Sequence, residues 1–176
     1  MIGPAVTAVQ SGVEMLVEEL RRDPQALEMA YISLITFDRE ARQIMPLTDL
    51  TSVQVPKLRV GPGTSMGAGL RALMECVNRD CRRTTRDQKG DFRPLAFLLT
   101  DGQPTDDWES AARALRNSTG VRLANLYAIG CGEDVDFELL SRVSDIVFRL
   151  DEMTAEKMNK LFVWLTASVR SASVSA

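Results

Sequence analysis

A chain of 176 residues with 45% hydrophobic and 26% charged side chains suits one domain built around a single core. Its net charge of -3, with no basic stripe, argues against a nucleic-acid binder, because nothing would neutralise a run of phosphates. The lack of any histidine removes Ser-His-Asp and Cys-His catalysis and the usual zinc sites. Chemistry is left to carboxylates, hydroxyls, lysines or a bound hard cation.

No apolar run is long enough to cross a bilayer. Met1-Ile2-Gly3-Pro4 has neither the basic flank nor the apolar stretch of a signal peptide. Three cysteines, an odd number, speak against a disulfide framework. The spacing of Cys76 and Cys81 suits no common zinc motif, so the thiols are expected reduced and partly buried in a cytoplasmic protein. Arg82, Arg83 and Arg86 are offset by Asp80 and Asp87 and read as a solvated loop.

In chain order, Pro4 opens a helix with Val6, Val9, Val13, Leu16, Val17 and Leu20 on one face, ended by Asp23-Pro24. Tyr31 to Phe37 is a strand of strong β-formers. Asp38-Arg39-Glu40 turns it into a return strand from Ala41 to Met45, making a hairpin. Pro46 to Val60 is irregular. The tight loop Gly61 to Ser65 feeds a helix with Met66, Leu70, Leu73, Met74, Val77 and Cys81 on its apolar face. After a polar loop from Thr84 to Arg93, the apolar run Pro94 to Leu99 is a strand covered on both faces, ended by Thr100-Asp101-Gly102-Gln103-Pro104.

A helix starts near Asp106, with Glu109 as its capping-box partner, and ends near Asn117. Arg122 to Ile129 is a second buried strand, closed by Gly130-Cys131-Gly132. Asp136 to Val143 is a short helix and Ile146 to Leu150 the last strand. Thr154 to Arg170 is an amphipathic helix, and a Ser/Ala tail over 171–176 is expected to fray. Strands alternating with helices make this α/β, with one antiparallel edge strand and helices on both faces of the sheet. The loops 61–65 and 100–107 are the chemically loaded ones, and they are expected to face a common crevice.

Gly61-Pro62-Gly63-Thr64-Ser65-Met66-Gly67-Ala68-Gly69 is not a phosphate loop. No Lys precedes the Ser/Thr, and Gly67 comes one residue late for G-x-G-x-x-G. It reads instead as a helix entry, capped by Thr64 or Ser65, with Gly67 and Gly69 permitting close packing. Asp101-Gly102 after a strand is a turn, but a carboxylate there is also placed to hold a hard cation, with the Thr64 hydroxyl opposite. Asp106-Asp107 reads as a helix cap, and Trp108 as helix packing ahead of a partner contact.

Ile35-Thr36-Phe37-Asp38, Gly63-Thr64-Ser65-Met66-Gly67 and Phe97 to Asp106 together resemble the von Willebrand factor A (VWA) fold. The run Thr100-Asp101-Gly102-Gln103-Pro104-Thr105-Asp106-Asp107-Trp108 is most similar to the bacterial TerY-like proteins of the tellurium-resistance group. The resemblance covers about residues 2–170, a single domain over 1–170. It implies a three-layer α/β/α, Rossmann-like sheet. It also implies a metal-ion-dependent adhesion site (MIDAS), in which Thr64 and Asp101 match two of three ligand loops around Mg²⁺ or Mn²⁺. An acidic side chain on the surface of a partner protein would complete the metal shell. The group's association with a kinase and a PP2C-type phosphatase implies partners in a tellurite, stress-response or phosphorylation system.

The third loop of that site, D-x-S-x-S, occurs nowhere in the sequence, and Gly3-Pro4-Ala5 matches the start of the helix that follows it. The opening central strand is therefore expected to be missing, with a truncated N-terminus that a longer natural protein would supply. The alternatives are a truncated product and a chain that rearranges or borrows a strand. Function is expected to be metal-dependent protein binding rather than catalysis. The other readings are a metal-dependent phosphohydrolase using Asp101 with Asp106 or Asp107 assisting, and a metal-free scaffold.

Overall fold

The computed structural model describes residues 3–151 and 154–174. Helix α1 (Pro4–Arg21) begins with Pro at its first turn and buries Val13, Val17 and Leu20 along one stripe. A short α2 (Pro24–Met29), six residues long, follows at once. Asp23 caps it, accepting from the Gln25 and Ala26 N–H groups. The hairpin is β1 (Tyr31–Phe37) and β2 (Ala41–Asp49). Its second strand runs four residues past Met45, the expected end. Pro46 does not stop it because β2 is an edge strand, where a missing N–H costs no ladder bond, and two register shifts absorb the irregularity.

Helix α3 (Met66–Asp80) precedes β3 (Leu95–Thr100), which pairs in parallel with β4 (Asn125–Cys131), and β4 pairs in parallel with β5 (Ile146–Leu150). Helices α4 (Trp108–Arg116) and α5 (Phe137–Val143) make the crossovers, and α6 (Ala155–Val174) closes the fold. β4 begins at Asn125 rather than Arg122, because 121–124 is spent bridging to the start of β3, where the Ala124 N–H bonds the Pro94 carbonyl. α6 continues to Val174, past the expected end at Arg170. Positions 175 and 176 of the Ser/Ala tail lie outside the described residues.

Strand alternation sorts the core into two layers. Leu98 and Ala128 pack with Met66 and Leu70 of α3, Ala111 and Ala112 of α4, and Leu140 and Val143 of α5. On the other face Phe97, Leu99, Ile129 and Cys131 meet Val13 of α1 and Met158, Leu161, Phe162 and Leu165 of α6. Phe97 stacks on Tyr127 with ring centroids 5.2 Å apart, and Trp164 meets Tyr127 edge-on at 5.4 Å, which seats α6 on the sheet. A third cluster, with Leu20, Ala26, Met45, Leu50 and Val53, fills the space under the hairpin. Arg21 ties it down by donating to the carbonyls of Leu50 (3.0 Å) and Val53 (2.6 Å).

The strands form two sheets, β1-β2 and β3-β4-β5. Among the described residues no ladder joins β1 to β3, so each keeps one open edge. This is the arrangement expected of a three-layer VWA-like sheet without its opening central strand.

Candidate functional site

The loop that enters α3, pinned at the carboxyl end of β1, meets the loop that follows β3. At the end of β1, the Asp38 carboxylate accepts from Gly61 N–H (2.8 Å) and Glu40 N–H (3.2 Å), and its carbonyl accepts from Ser65 N–H (2.8 Å). Gly63 takes a φ of 110°, a left-handed conformation that glycine adopts without strain. The loop so pinned presents Thr64 to the loop that ends β3. Thr105 N–H bonds the Thr64 carbonyl at 3.0 Å. A Cβ on Gly102 would sit 3.3 Å from the Thr64 hydroxyl oxygen. The side chain of Thr64 therefore lies against the Asp101-Gly102 turn.

The cap at the start of α3 is not the expected one. Neither Thr64 nor Ser65 caps it; the Ser65 hydroxyl donates instead to the Arg39 carbonyl (3.0 Å). The capping group arrives from the other loop. Asp106 accepts from Gly67 N–H and Ala68 N–H, each at 2.8 Å, and Arg71 reaches the same carboxylate at 3.3 Å. Asp107 then caps α4, accepting from Ser110 N–H at 3.2 Å and from the Ser110 hydroxyl. The adjacent aspartates thus cap two different helices. The expected capping box fails because with Asp107 as cap the third helical position is Ser110, and Glu109 instead pairs with Arg142 at 2.7 Å. Gly67 is buried so closely that a Cβ there would lie 2.5 Å from the Asp107 carbonyl oxygen. Trp108 packs at the rim of the core under Arg142, whose guanidinium lies 5.0 Å from the ring centroid.

The Gly61 and Glu40 amides hold the Asp38 carboxyl below its ordinary value of 3.8. A folded-state value below the unfolded one gives stability that is present above about pH 4 and is lost as pH falls through the lower folded value. The Gly61 amide resonance should therefore titrate with a midpoint below 3.8, and an Asp38→Asn variant should show no such transition. A midpoint at or above the ordinary value would count against this clamp. Burial, and after it the nearby Asp101 charge, push the Cys131 thiol up to about 12. It is therefore a protonated core residue, neither nucleophile nor thiolate ligand.

The residues present suit a hard divalent cation in kind, since a hydroxyl and a carboxylate are the oxygen donors Mg²⁺ and Mn²⁺ take. They fall short in number, two side chains against a preferred shell of six oxygens, and no group of three His, Cys, Asp or Glu gathers among the described residues. The sequence reading missed Asp106 as the link between the two loops. Its pattern, Asp-Asp before an apolar helix, points only to the nearer helix start.

A parallel sheet flanked by helices on both faces, with Thr and Asp loops meeting at the carboxyl ends of its strands, defines a VWA-type α/β/α fold. The chain belongs to the von Willebrand factor type A domain family, whose profile matches residues 4–161. Proximal thread matrix protein 1 from the mussel byssus is similar in fold, with a TM-score of 0.66 and 17% identity over 92% of this chain and 41% of that one. A further structure of that protein, described as having a zinc-occupied MIDAS motif, gives 0.62 and 17% over 92% and 42%. The ArnB paralog VWA2 from Sulfolobus acidocaldarius gives 0.60 and 16% over 92% and 39%. The chain thus spans about two fifths of the length of these proteins. No curated protein matches its sequence. No helix among the described residues is long and apolar enough to cross a membrane.

Proposed function

We propose that this domain is a metal-dependent protein-interaction module in which Thr64 and Asp101 hold Mg²⁺ or Mn²⁺ and an acidic side chain of a partner protein completes the shell. The observation that carries this reading is the bonding of the two loops to each other, which brings the Thr64 hydroxyl beside the Asp101-Gly102 turn. The ion supplies the attraction for the partner's carboxylate. Thr64 and Asp101 hold it, and Asp38 and Asp106 fix the loops they stand on.

A further element of the same reading rests on the edges of β1 and β3 that join no ladder among the described residues. Gly3 borders an open cleft of about 540 Å³ shared with Asp38 and Gly61. A strand entering α1 there would lie between β1 and β3, with its carboxyl end at the cleft. A D-x-S-x-S loop in that position would add the oxygen donors that two side chains leave to water. The resemblance of the Thr100–Trp108 run to TerY-like proteins favours a bacterial, cytoplasmic setting in a tellurite or stress-response system, with a kinase or a PP2C-type phosphatase as partner.

Pull-down from native cells in Mg²⁺ or Mn²⁺ tests the proposal. Partners should be retained with metal, lost in EDTA and lost with Asp101→Ala, and Thr64→Ala should weaken retention by about tenfold, or ~1.4 kcal/mol. Retention unaffected by Asp101→Ala would sink the metal reading, and retention indifferent to EDTA would favour the metal-free scaffold. The phosphohydrolase reading loses its assisting acids, because Asp106 and Asp107 are both engaged as helix caps.

A further inference from the structure

We propose that the amino-terminal pole of the sheet, opposite the metal loops, is a second docking surface that binds an acidic segment of a partner protein. Asp80 and Asp87 offset part of the positive charge of this solvated loop, as the sequence implies, but neither pairs with Arg82, Arg83 or Arg86. Asp80 is taken by Arg79 at 2.6 Å, and Arg82 is paired with Asp91 at 2.9 Å. Arg83, Arg86 and Arg93, all exposed, make no salt bridge with any described residue.

A second loop brings more positive charge to the same end. The Val121 N–H bonds the Asn78 side chain on the last turn of α3 at 3.1 Å, and Ala124 N–H bonds the Pro94 carbonyl at 2.8 Å. These contacts lock 117–124 beside the 81–94 loop. Arg116 and Arg122, both exposed, flank it, and the sequence has no acidic residue between Glu109 and Glu133. In a chain of net charge -3, the exposed Arg83, Arg86, Arg93, Arg116 and Arg122 thus gather on two neighbouring loops at this pole.

The pole also carries apolar anchors. Phe92 is 50% exposed, with the Lys89 ammonium 5.6 Å from its ring centroid. Tyr31, at the start of β1, is 60% exposed. Exposed arginines around large apolar side chains are the composition of a protein-binding patch, and guanidinium groups pair with carboxylates in bidentate fashion. A long polyanion suits the surface less well, because its phosphates would run off the pole onto the acidic remainder of the molecule. β3, six residues long, separates the pole from the metal loops by roughly 20 Å, so the surfaces are distinct.

The test is fluorescence anisotropy with a labelled peptide rich in Glu and Leu, in about 150 mM salt. The probes compared with it are a single-stranded oligonucleotide and phosphatidylserine vesicles. The protein variant is Arg83→Glu/Arg86→Glu, two exposed loop positions whose reversal leaves the thermal unfolding midpoint unchanged. The peptide should bind the natural protein, lose about tenfold in affinity with the variant, and bind equally well in EDTA. No binding, unchanged binding by the variant, or loss in EDTA (which would place the peptide at the metal loops) would overturn the proposal. So would tighter binding of the oligonucleotide or the vesicles than of the peptide.

Discussion

Gly67→Ala will destabilise the domain by about 2 kcal/mol. Within a helix the change alone would favour folding, by roughly 0.5–1 kcal/mol of backbone entropy. Here the new methyl would meet the Asp107 carbonyl oxygen at 2.5 Å, its carbon at 2.8 Å and the Asp106 carboxylate at 2.9 Å. Backbone atoms cannot swing aside as a side-chain tip can, so α3 and the 100–107 loop must part. Forced overpacking of this kind costs about 1–3 kcal/mol and overrides the helix gain. Gly69→Ala is the control on the same helix. Its methyl would stand 3.1 Å from the ring of Phe37, a side chain rather than backbone, and the variant should lose much less stability. Urea unfolding should show the lower midpoint, at unchanged slope, for Gly67→Ala. A Gly67→Ala protein as stable as the natural one would mean the two loops are not packed as described.

The alternation of periods in the sequence carried most of the fold. Helices with a clean apolar stripe, such as Val13, Val17 and Leu20, and strands of unbroken apolar residues, such as Leu95 to Leu99, lie where their patterns place them. What was not legible depends on contacts between segments far apart in the chain. α2 is a single short helix fixed by one Asp23 cap, and six residues give too little periodicity to read. The extension of β2 past Pro46 rests on its being an edge strand, which only the assembled sheet reveals. The same limit applies at the site. Thr64 and Asp101 are singled out by residue type and place in the chain, but a local rule assigned Asp106 to the helix that follows it. The structure gives it to a helix some forty residues earlier. The solvated loop at the amino-terminal pole was legible but its pairing was not, because Arg82 selects Asp91 across the loop rather than either nearer aspartate.

Asp106→Asn separates holding the loops from holding the ion. The carboxylate accepts two backbone N–H bonds, one per oxygen, at the start of α3. An amide keeps one acceptor and turns an NH₂ group toward the other N–H, leaving a part-buried donor unpaired. It also surrenders the charge facing Arg71 and the helix N-terminus. The Arg71 pair contributes little, since that side chain is 43% exposed. The capping bonds dominate, and losing one of them together with its charge assistance should cost about 2 kcal/mol. Asp101 plays no part in this cap, so Asp101→Ala should abolish metal-dependent retention of partners while leaving the Asp106 bonds to Gly67 and Ala68 in place. Asp106→Asn should do the reverse, lowering stability strongly and weakening Mn²⁺ binding only as far as the loops drift apart. If calorimetry instead shows Asp106→Asn abolishing Mn²⁺ binding with stability intact, Asp106 is itself a ligand, and the ion sits against the start of α3 rather than between Thr64 and Asp101.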